Sequence, residues 1–255
     1  MSFSIQNIID EAVSQTEDRA KERWWATDLG KCLGGAYYRR LGHKGKDFDT
    51  RLLRVFKVGH LFEEFVIKLV REYSDKYEFT QPETIYMPEH DLACRPDLVI
   101  KDKATGEQWV YEFKTVHSQK FWWMQKKNEG PDKHYLMQTY CELLATGLEQ
   151  GRLIYISKDD LCMAEFAISK SDTELEMSVK KDILALKEAW RLQIPPPVEP
   201  AIVNGKINWK AQSCPFHNLC LHNDNWLEEA KAQLASEKKS SPGRWAKVSK
   251  KSSKK

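Results

Sequence analysis

An α/β fold, ordered as helix, three-stranded antiparallel meander, helix and strand, is what this chain predicts, and three observations predict it. Residues 57–74 repeat apolar side chains at helical period. Three short β-prone runs follow, the last two joined by a turn-like segment. A second helical run with a glycine stop then leads into another apolar strand.

In the first helix, Val58, Leu61, Phe62, Phe65, Val66, Leu69 and Val70 make one apolar stripe, with Glu64, Lys68 and Arg71 on the other side. The strands are expected over 77–87, 92–101 and 108–116, and the polar run from Asp102 to Gly106 closes the last two into a hairpin. The second helix, 132–146, turns Tyr135, Leu136, Tyr140, Leu143 and Leu144 inward and stops at Gly147. Strands over 153–156 and 163–168 come next, then a helix over 172–192 that Pro195, Pro196 and Pro197 terminate. The expected organisation is a main domain over 1–200 with an N-terminal helical segment, a cysteine-containing helical appendage over 201–237, and a disordered basic tail over 238–255.

A chain of 255 residues with 41% hydrophobic content and nine tryptophans can bury one sizeable core, while 30% charged residues solvate its surface. No run approaches the roughly 18 apolar residues of a membrane span, and Asp10, Glu11, Glu17 and Asp18 speak against a signal peptide. A cytoplasmic protein is expected, and its six cysteines suit burial or metal binding better than a disulfide framework. The net charge of +3 does not point to any partner. Its distribution says more: the tail carries seven lysines and Arg244 with no acid, a composition that either grips phosphate backbones or keeps a terminus in solution.

Two acids interrupt otherwise apolar strands, Asp97 in Arg95-Pro96-Asp97-Leu98-Val99 and Glu112 in Glu112-Phe113-Lys114. Strand side chains alternate, so Glu112 and Lys114 share one face, and a paired hairpin brings Asp97 to them. Two carboxylates beside an ammonium suit a hard divalent cation held through oxygen, with positions left for water and a phosphate oxygen. The plainer alternative is a cross-strand ion pair on a solvated face.

Pro96-Asp97, Glu112-Phe113-Lys114, the hairpin spacing and the element order together resemble the PD-(D/E)XK nuclease superfamily over about residues 52–168. That resemblance implies a restriction-endonuclease-like core with a helical C-terminal appendage, and a metal-dependent DNA nuclease using Mg²⁺ or Mn²⁺. Two further matches are similar to the RecB-like branch, which includes CRISPR-associated adaptation nucleases and phage and repair exonucleases. Gly59-His60-Leu61-Phe62-Glu63 matches a helix whose residue four positions after the glycine joins the metal site, which designates Glu63; His60 is the nearby competitor, and an ordinary surface glutamate is the alternative. Gln138 matches the first residue of a Gln-x-x-x-Tyr motif, but Glu142 stands at its tyrosine position, and Tyr140, on another helical face, is the lesser candidate for a nucleic-acid contact, with core as the alternative. The implied catalytic set is Glu63, Asp97, Glu112, Lys114 and Gln138, with Glu63, Asp97 and Glu112 holding the metal.

The same branch carries an iron-sulfur motif near its C-terminus that pairs with an upstream cysteine. Cys214, Cys220 and Cys32 match three of its four ligands, and Ala211 stands where the remaining one is expected. A cubane cluster takes four thiolates, so the cluster is lost, labile or completed by another group. His217 and His222 lie within reach in sequence, a zinc site of cysteine and histidine is a further possibility, and buried vestigial cysteines are another. Cys94, Cys141 and Cys162 sit in apolar elements and read as core.

Between the hairpin and the Gln138 helix, Trp122 and Trp123 alternate with Lys120, Lys126 and Lys127, a pattern that suits bases stacked on rings with cations along the backbone, although paired tryptophans are often core. The resemblance thus implies an exonuclease acting on single-stranded or frayed DNA, in a prokaryotic or phage setting. Recombination, repair, phage DNA processing and CRISPR adaptation are the settings it covers, with protein partners in such complexes. The competing readings are a non-cutting module that grips DNA ends and a site-specific endonuclease.

Overall fold

The computed structural model describes residues 4–14, 22–72, 74–126 and 130–240. In chain order the elements are α1 (Ile5–Ser14), β1 (Trp24–Trp25), a 3-10 turn (Ala26–Asp28), α2 (Leu33–Arg40), α3 (Thr50–Glu72), β2 (Tyr77–Thr80), β3 (Ile85–Met87), β4 (Leu92–Cys94), β5 (Leu98–Asp102) and β6 (Gln108–Val116). They continue with α4 (Ser118–Lys126), α5 (Lys133–Thr146), β7 (Gln150–Ser157), β8 (Met163–Ser169) and α6 (Thr173–Leu192). Last come β9 (Ile202–Val203), β10 (Lys206–Ile207), α7 (Trp209–Gln212), α8 (His217–Leu221) and α9 (Trp226–Ser240).

The main sheet runs β2-β5-β6-β7-β8. β2, β5 and β6 form the antiparallel meander, β7 joins β6 in parallel, and β8 returns antiparallel to β7. The parallel step needs a crossover, which α5 supplies. This is the expected restriction-endonuclease-like core, with helices following it at the C-terminal end.

Alternation along the strands divides the interior in two. Leu98, Phe113, Ile154 and Ile156 face α3, where Ile67, Phe62, Val66 and Val70 meet them. Val110, Leu153 and Tyr155 face the larger core built by Met137, Tyr140 and Leu143 of α5 and Leu175, Val179, Ile183 and Leu186 of α6. Gly147 takes the left-handed conformation that ends α5, as its position demands (φ 74°).

Two expectations are corrected. The strands over 77–87 and 92–101 are each broken in two, because Pro82 and Pro96 cannot donate to a ladder; β3 and β4 join β1 in a small second sheet. Asp97 therefore lies at the break before β5 rather than inside a strand. The helix expected from 57 starts at Thr50, and four of the seven residues of its apolar stripe face outward: Val58, Leu61, Phe65 and Leu69 are exposed, because one helix laid on one sheet can bury only one side.

The appendage packs α8 against α2 and buries Ala211, Phe216, His217 and Trp226. α9 runs to Ser240, three residues into the tail expected from 238, and the rest of that tail, from 241 onward, lies outside the described residues. Among the described residues no helix is long and apolar enough to cross a membrane.

Candidate active site

The β5–β6 hairpin pairs Leu98 with Tyr111, which sets Asp97 beside the next residue of β6, Glu112. The backbone N–H of Phe113 donates to Asp97 Oδ2 at 2.8 Å, so the half-buried carboxylate is tied to the strand that carries Glu112 and Lys114. Glu112 and Lys114 project from the α5 side of β6 as alternation requires. Glu112 is buried, at 1% exposure. Its Oε1 accepts from both Lys114 Nζ and Gln138 Nε2, the latter at 2.7 Å, while its Oε2 has no hydrogen-bond partner.

Gln138 sits one turn before Glu142 on α5 and donates to Glu142 Oε1 at 3.0 Å, so one amide group holds two buried carboxyls. Burial, followed by the charges of Glu112 and Asp97, pushes the Glu142 acid well above the ordinary carboxyl range. Its Oε2 also lacks a partner. Glu142 is the site residue that motif matching discarded, since it breaks the expected Gln-x-x-x-Tyr pattern. The spacing of one helical turn from Gln138 was the available signal.

Glu63 comes in from α3, which crosses β6 where Gly59 stands over Thr115. Burial and then the charge of Glu112 raise its carboxyl, with His60, Lys114 and Arg95 opposing. His60 Nδ1 stands 3.8 Å from Glu63 Oε2 and is itself largely exposed. Asp97 is likewise pushed up by burial, then by Glu112, against the pull of Lys114 and the Phe113 N–H. Burial works against the charge of Lys114, but Glu112 and Asp97 outweigh it and hold the ammonium above the usual lysine value. The Tyr135 ring, 5.0 Å from Lys114 Nζ, adds a cation–π contact.

This crowding of acids around one ammonium fits a divalent cation. The charge of Glu112 raises both Glu63 and Asp97, and Glu112, the most buried of the three, keeps an oxygen without a hydrogen-bond partner. As the side chains stand, no group of three or more His, Cys, Asp or Glu among the described residues is gathered closely enough to hold a metal ion.

The remaining expected residues divide. Trp122 and Trp123 are half exposed on α4, directly after β6, and Lys126 Nζ lies 5.1 Å from the Trp122 ring centre. Lys127 lies outside the described residues. Lys120 is held by Asp132 at 2.7 Å, an ion pair at the start of α5. Tyr140 is core: it is buried and its hydroxyl donates to Lys170 O at 3.1 Å, so it is corrected from its place among nucleic-acid contacts. Cys94 and Cys141 are core too, the Cys94 thiol pushed up to about 12 by burial, then by Glu142 and Glu112. Cys162 is corrected: it is exposed at the end of the turn before β8.

No family model matches the chain, and no curated protein does. Solved structures do. The crystal structure of SSO0001 covers 86% of this chain and 98% of its own, at 19% identity and a TM-score of 0.50. An alkaline exonuclease (LHK-Exo) from Laribacter hongkongensis covers 73% of this chain and 96% of its own, at 16% identity and a TM-score of 0.48. The same exonuclease in complex with dAMP covers 68% and 94%, at 15% identity and a TM-score of 0.45. The likeness is one of fold, and it rests on the first of these.

Cys32, the residue before α2, meets Cys214 and Cys220 from the appendage. Hydrogen bonds from Cys214, then from Cys220, lower the Cys32 thiol to about 2, and the same contacts raise the other two thiols. Ala211 is fully buried and offers no ligand atom, so the residues present do not fit a four-thiolate cluster.

Proposed function

We propose that this chain is a metal-dependent deoxyribonuclease that hydrolyses DNA phosphodiesters, acting as an exonuclease on single-stranded or frayed ends. The observation that carries the reading is Glu112: its Oε1 is doubly hydrogen-bonded, its Oε2 is buried with no hydrogen-bond partner, and its charge acts on Asp97, Glu63 and Lys114. Leaving a buried carboxylate oxygen unpaired costs about 1–3 kcal/mol or more unless something accepts its lone pairs.

Glu63, Asp97 and Glu112 would hold the Mg²⁺ or Mn²⁺, whose charge polarises a phosphate and lowers the pKa of an attacking water. The protein's own groups do the positioning. Gln138 and Lys114 fix the rotamer of Glu112 through one oxygen and leave the other without a hydrogen bond. The Phe113 N–H fixes Asp97. The Lys114 ammonium remains charged among the acids and is placed to orient a water or stabilise negative charge forming on phosphate. Trp122, Trp123 and Lys126, on the helix that leaves the catalytic strand, offer rings and a cation to unpaired bases, which favours single strands or ends over intact duplex. Recombination, repair, phage DNA processing and CRISPR adaptation all use such an activity.

The test is release of nucleotides from end-labelled single- and double-stranded DNA with Mg²⁺ or Mn²⁺, comparing the full chain with Glu112→Ala and Lys114→Ala. Loss of digestion in both variants, with circular dichroism unchanged, is the expected result. Binding without cutting by the unsubstituted chain would replace this reading with that of a DNA-end-binding module. Cleavage of covalently closed circles would make the enzyme an endonuclease.

A further inference from the structure

A row of aromatic rings leads away from Lys114 and ends on the C-terminal appendage. His134 and Tyr135 lie in the first turn of α5, and Trp209 is the first residue of α7, far along the chain. Lys114 Nζ stands 5.0 Å from the centre of the Tyr135 ring, and the Tyr135 and His134 rings are 3.9 Å apart. The Trp209 ring follows at 5.1 Å from His134, tilted by 36°. We propose that Trp209 and His134 form a stacking subsite for one nucleobase of the DNA strand whose phosphate is attacked beside Lys114. The proposal rests on the nuclease reading and deepens it, because it gives the appendage a part in holding substrate.

Three observations carry it. The first is the state of the Trp209 ring, which packs on His134 yet keeps 48% of its surface exposed. Its backbone is nevertheless fixed. The preceding residue, Asn208, is buried, accepts from the Lys210 N–H at 3.1 Å and donates to Pro200 O at 2.9 Å. A half-open indole on a fixed turn is a preformed platform, and a stacked base covers the apolar surface it leaves in water.

The second is the seating of His134. Gly30 takes a left-handed conformation (φ +71°), and a Cβ there would stand 2.8 Å from both Cα and Cβ of His134, so the loop before α2 closes directly on this residue. The Gly30 N–H donates to Asp182 on α6 at 2.8 Å and holds that loop in place. Burial, then the charge of Lys31, lowers the His134 imidazole to about 4, against the pull of Asp132. At neutral pH it is therefore an uncharged flat ring, suited to lie between an indole and a base.

The third is the charge around the row. Lys31, Lys114 and Lys120 all act on the His134 ring, with Asp132 as the acid that opposes them. Lys120 is paired with that acid at 2.7 Å, which leaves an excess of positive charge beside the rings. Aromatic faces with lysines beside them match a single strand, whose bases offer open faces and whose phosphates need cations. Bases inside a duplex have both faces covered, so the row favours single strands and frayed ends. It adds a second place for a base to the one offered by Trp122 and Trp123 on α4.

The test measures binding of the full chain to a labelled single strand by fluorescence anisotropy, in EDTA so that nothing is cut. Trp209→Ala and Trp209→Leu are each expected to weaken binding about 5–150-fold, the worth of one stacked base, while Trp209→Phe stays within about threefold of the unsubstituted chain. The dependence of affinity on salt, which counts phosphate contacts, should keep its slope. A strand of the same length built from abasic nucleotides should bind the unsubstituted chain and Trp209→Leu alike. Equal losses on the intact and abasic strands would make Trp209 a packing residue and overturn the proposal, as would full-strength binding by Trp209→Leu. Trp209→Leu keeps apolar bulk against His134 and so keeps the question decidable should Trp209→Ala fail to fold. Failure of the nuclease reading looks different: a chain that cuts nothing with Mg²⁺ or Mn²⁺ but binds single strands through Trp209 loses the reading and retains the stacking subsite.

Discussion

Residues between Asp97 and Glu142 assemble the carboxylate site within one hairpin and the helix that follows it, whereas the thiol site joins Cys32 to Cys214, His217 and Cys220 across the whole core. The first crowds carboxyl groups around a lysine, and the second packs three thiols against the first turn of α2. The two differ in what they can do. Oxygen groups with room for water suit an exchangeable, catalytic ion, whereas thiols packed against a helix behave as small apolar groups that join distant parts of the chain. Substitutions at one site should therefore leave the other intact, and that independence is the most direct way to break the comparison.

The largest effect is expected at Glu112. Glu112→Ala removes the bare Oε2 and the acceptor shared by Lys114 and Gln138, so nuclease turnover should fall on the order of 1,000-fold or more. In the reciprocal experiment Cys214→Ala should lower the thermal midpoint, while nucleotide release measured below that midpoint persists. Loss of activity below the midpoint would show one coupled structure rather than two sites.

The contrast also explains what was legible in sequence. The hairpin site could be read because strand alternation and one turn fix Asp97, Glu112 and Lys114 relative to each other, while Gln138 entered only through the resemblance to a family motif. Prolines 82 and 96 marked the breaks that put β3 and β4 into a second sheet, but a proline alone does not say which sheet receives the broken strand. The apolar stripe of α3 predicted more burial than one sheet face can provide, since periodicity counts apolar residues and not the surface available to cover them. His217 was visible as a candidate by proximity in sequence to Cys214 and Cys220. Only the fold shows that it is buried with both nitrogens bare while His222 is exposed.

An intermediate effect is expected at Gln138, whose amide positions Glu112 without itself meeting substrate. Gln138→Ala should lower activity by about 10–100-fold, and much of the loss should appear as weaker activation by Mn²⁺ in a metal titration. An unchanged titration would mean that Lys114 alone holds Glu112 in place. Trp122→Ala and Trp123→Ala should each weaken single-stranded DNA binding by about 1–3 kcal/mol per lost stack, read by fluorescence anisotropy, with duplex binding less affected. Equal losses on both substrates would assign these rings to packing.

The smallest effect is expected at Glu142, and it bears on what kind of group the hairpin site contains. Burial and the neighbouring charges of Glu112 and Asp97 raise this acid well above the ordinary carboxyl range and so favour its neutral form, whose Oε1 accepts from Gln138. Glutamine is neutral as well, and its side-chain oxygen can accept the same bond. Glu142→Gln should therefore keep activity within about threefold of the unsubstituted chain. Glu142→Ala, which leaves Gln138 short of an acceptor in a buried pocket, should cost about 1–3 kcal/mol of stability in a denaturant titration. If Glu142→Gln instead abolished cleavage as Glu112→Ala does, Glu142 would be an ionised ligand, and the hairpin site would hold four acids for its metal rather than three.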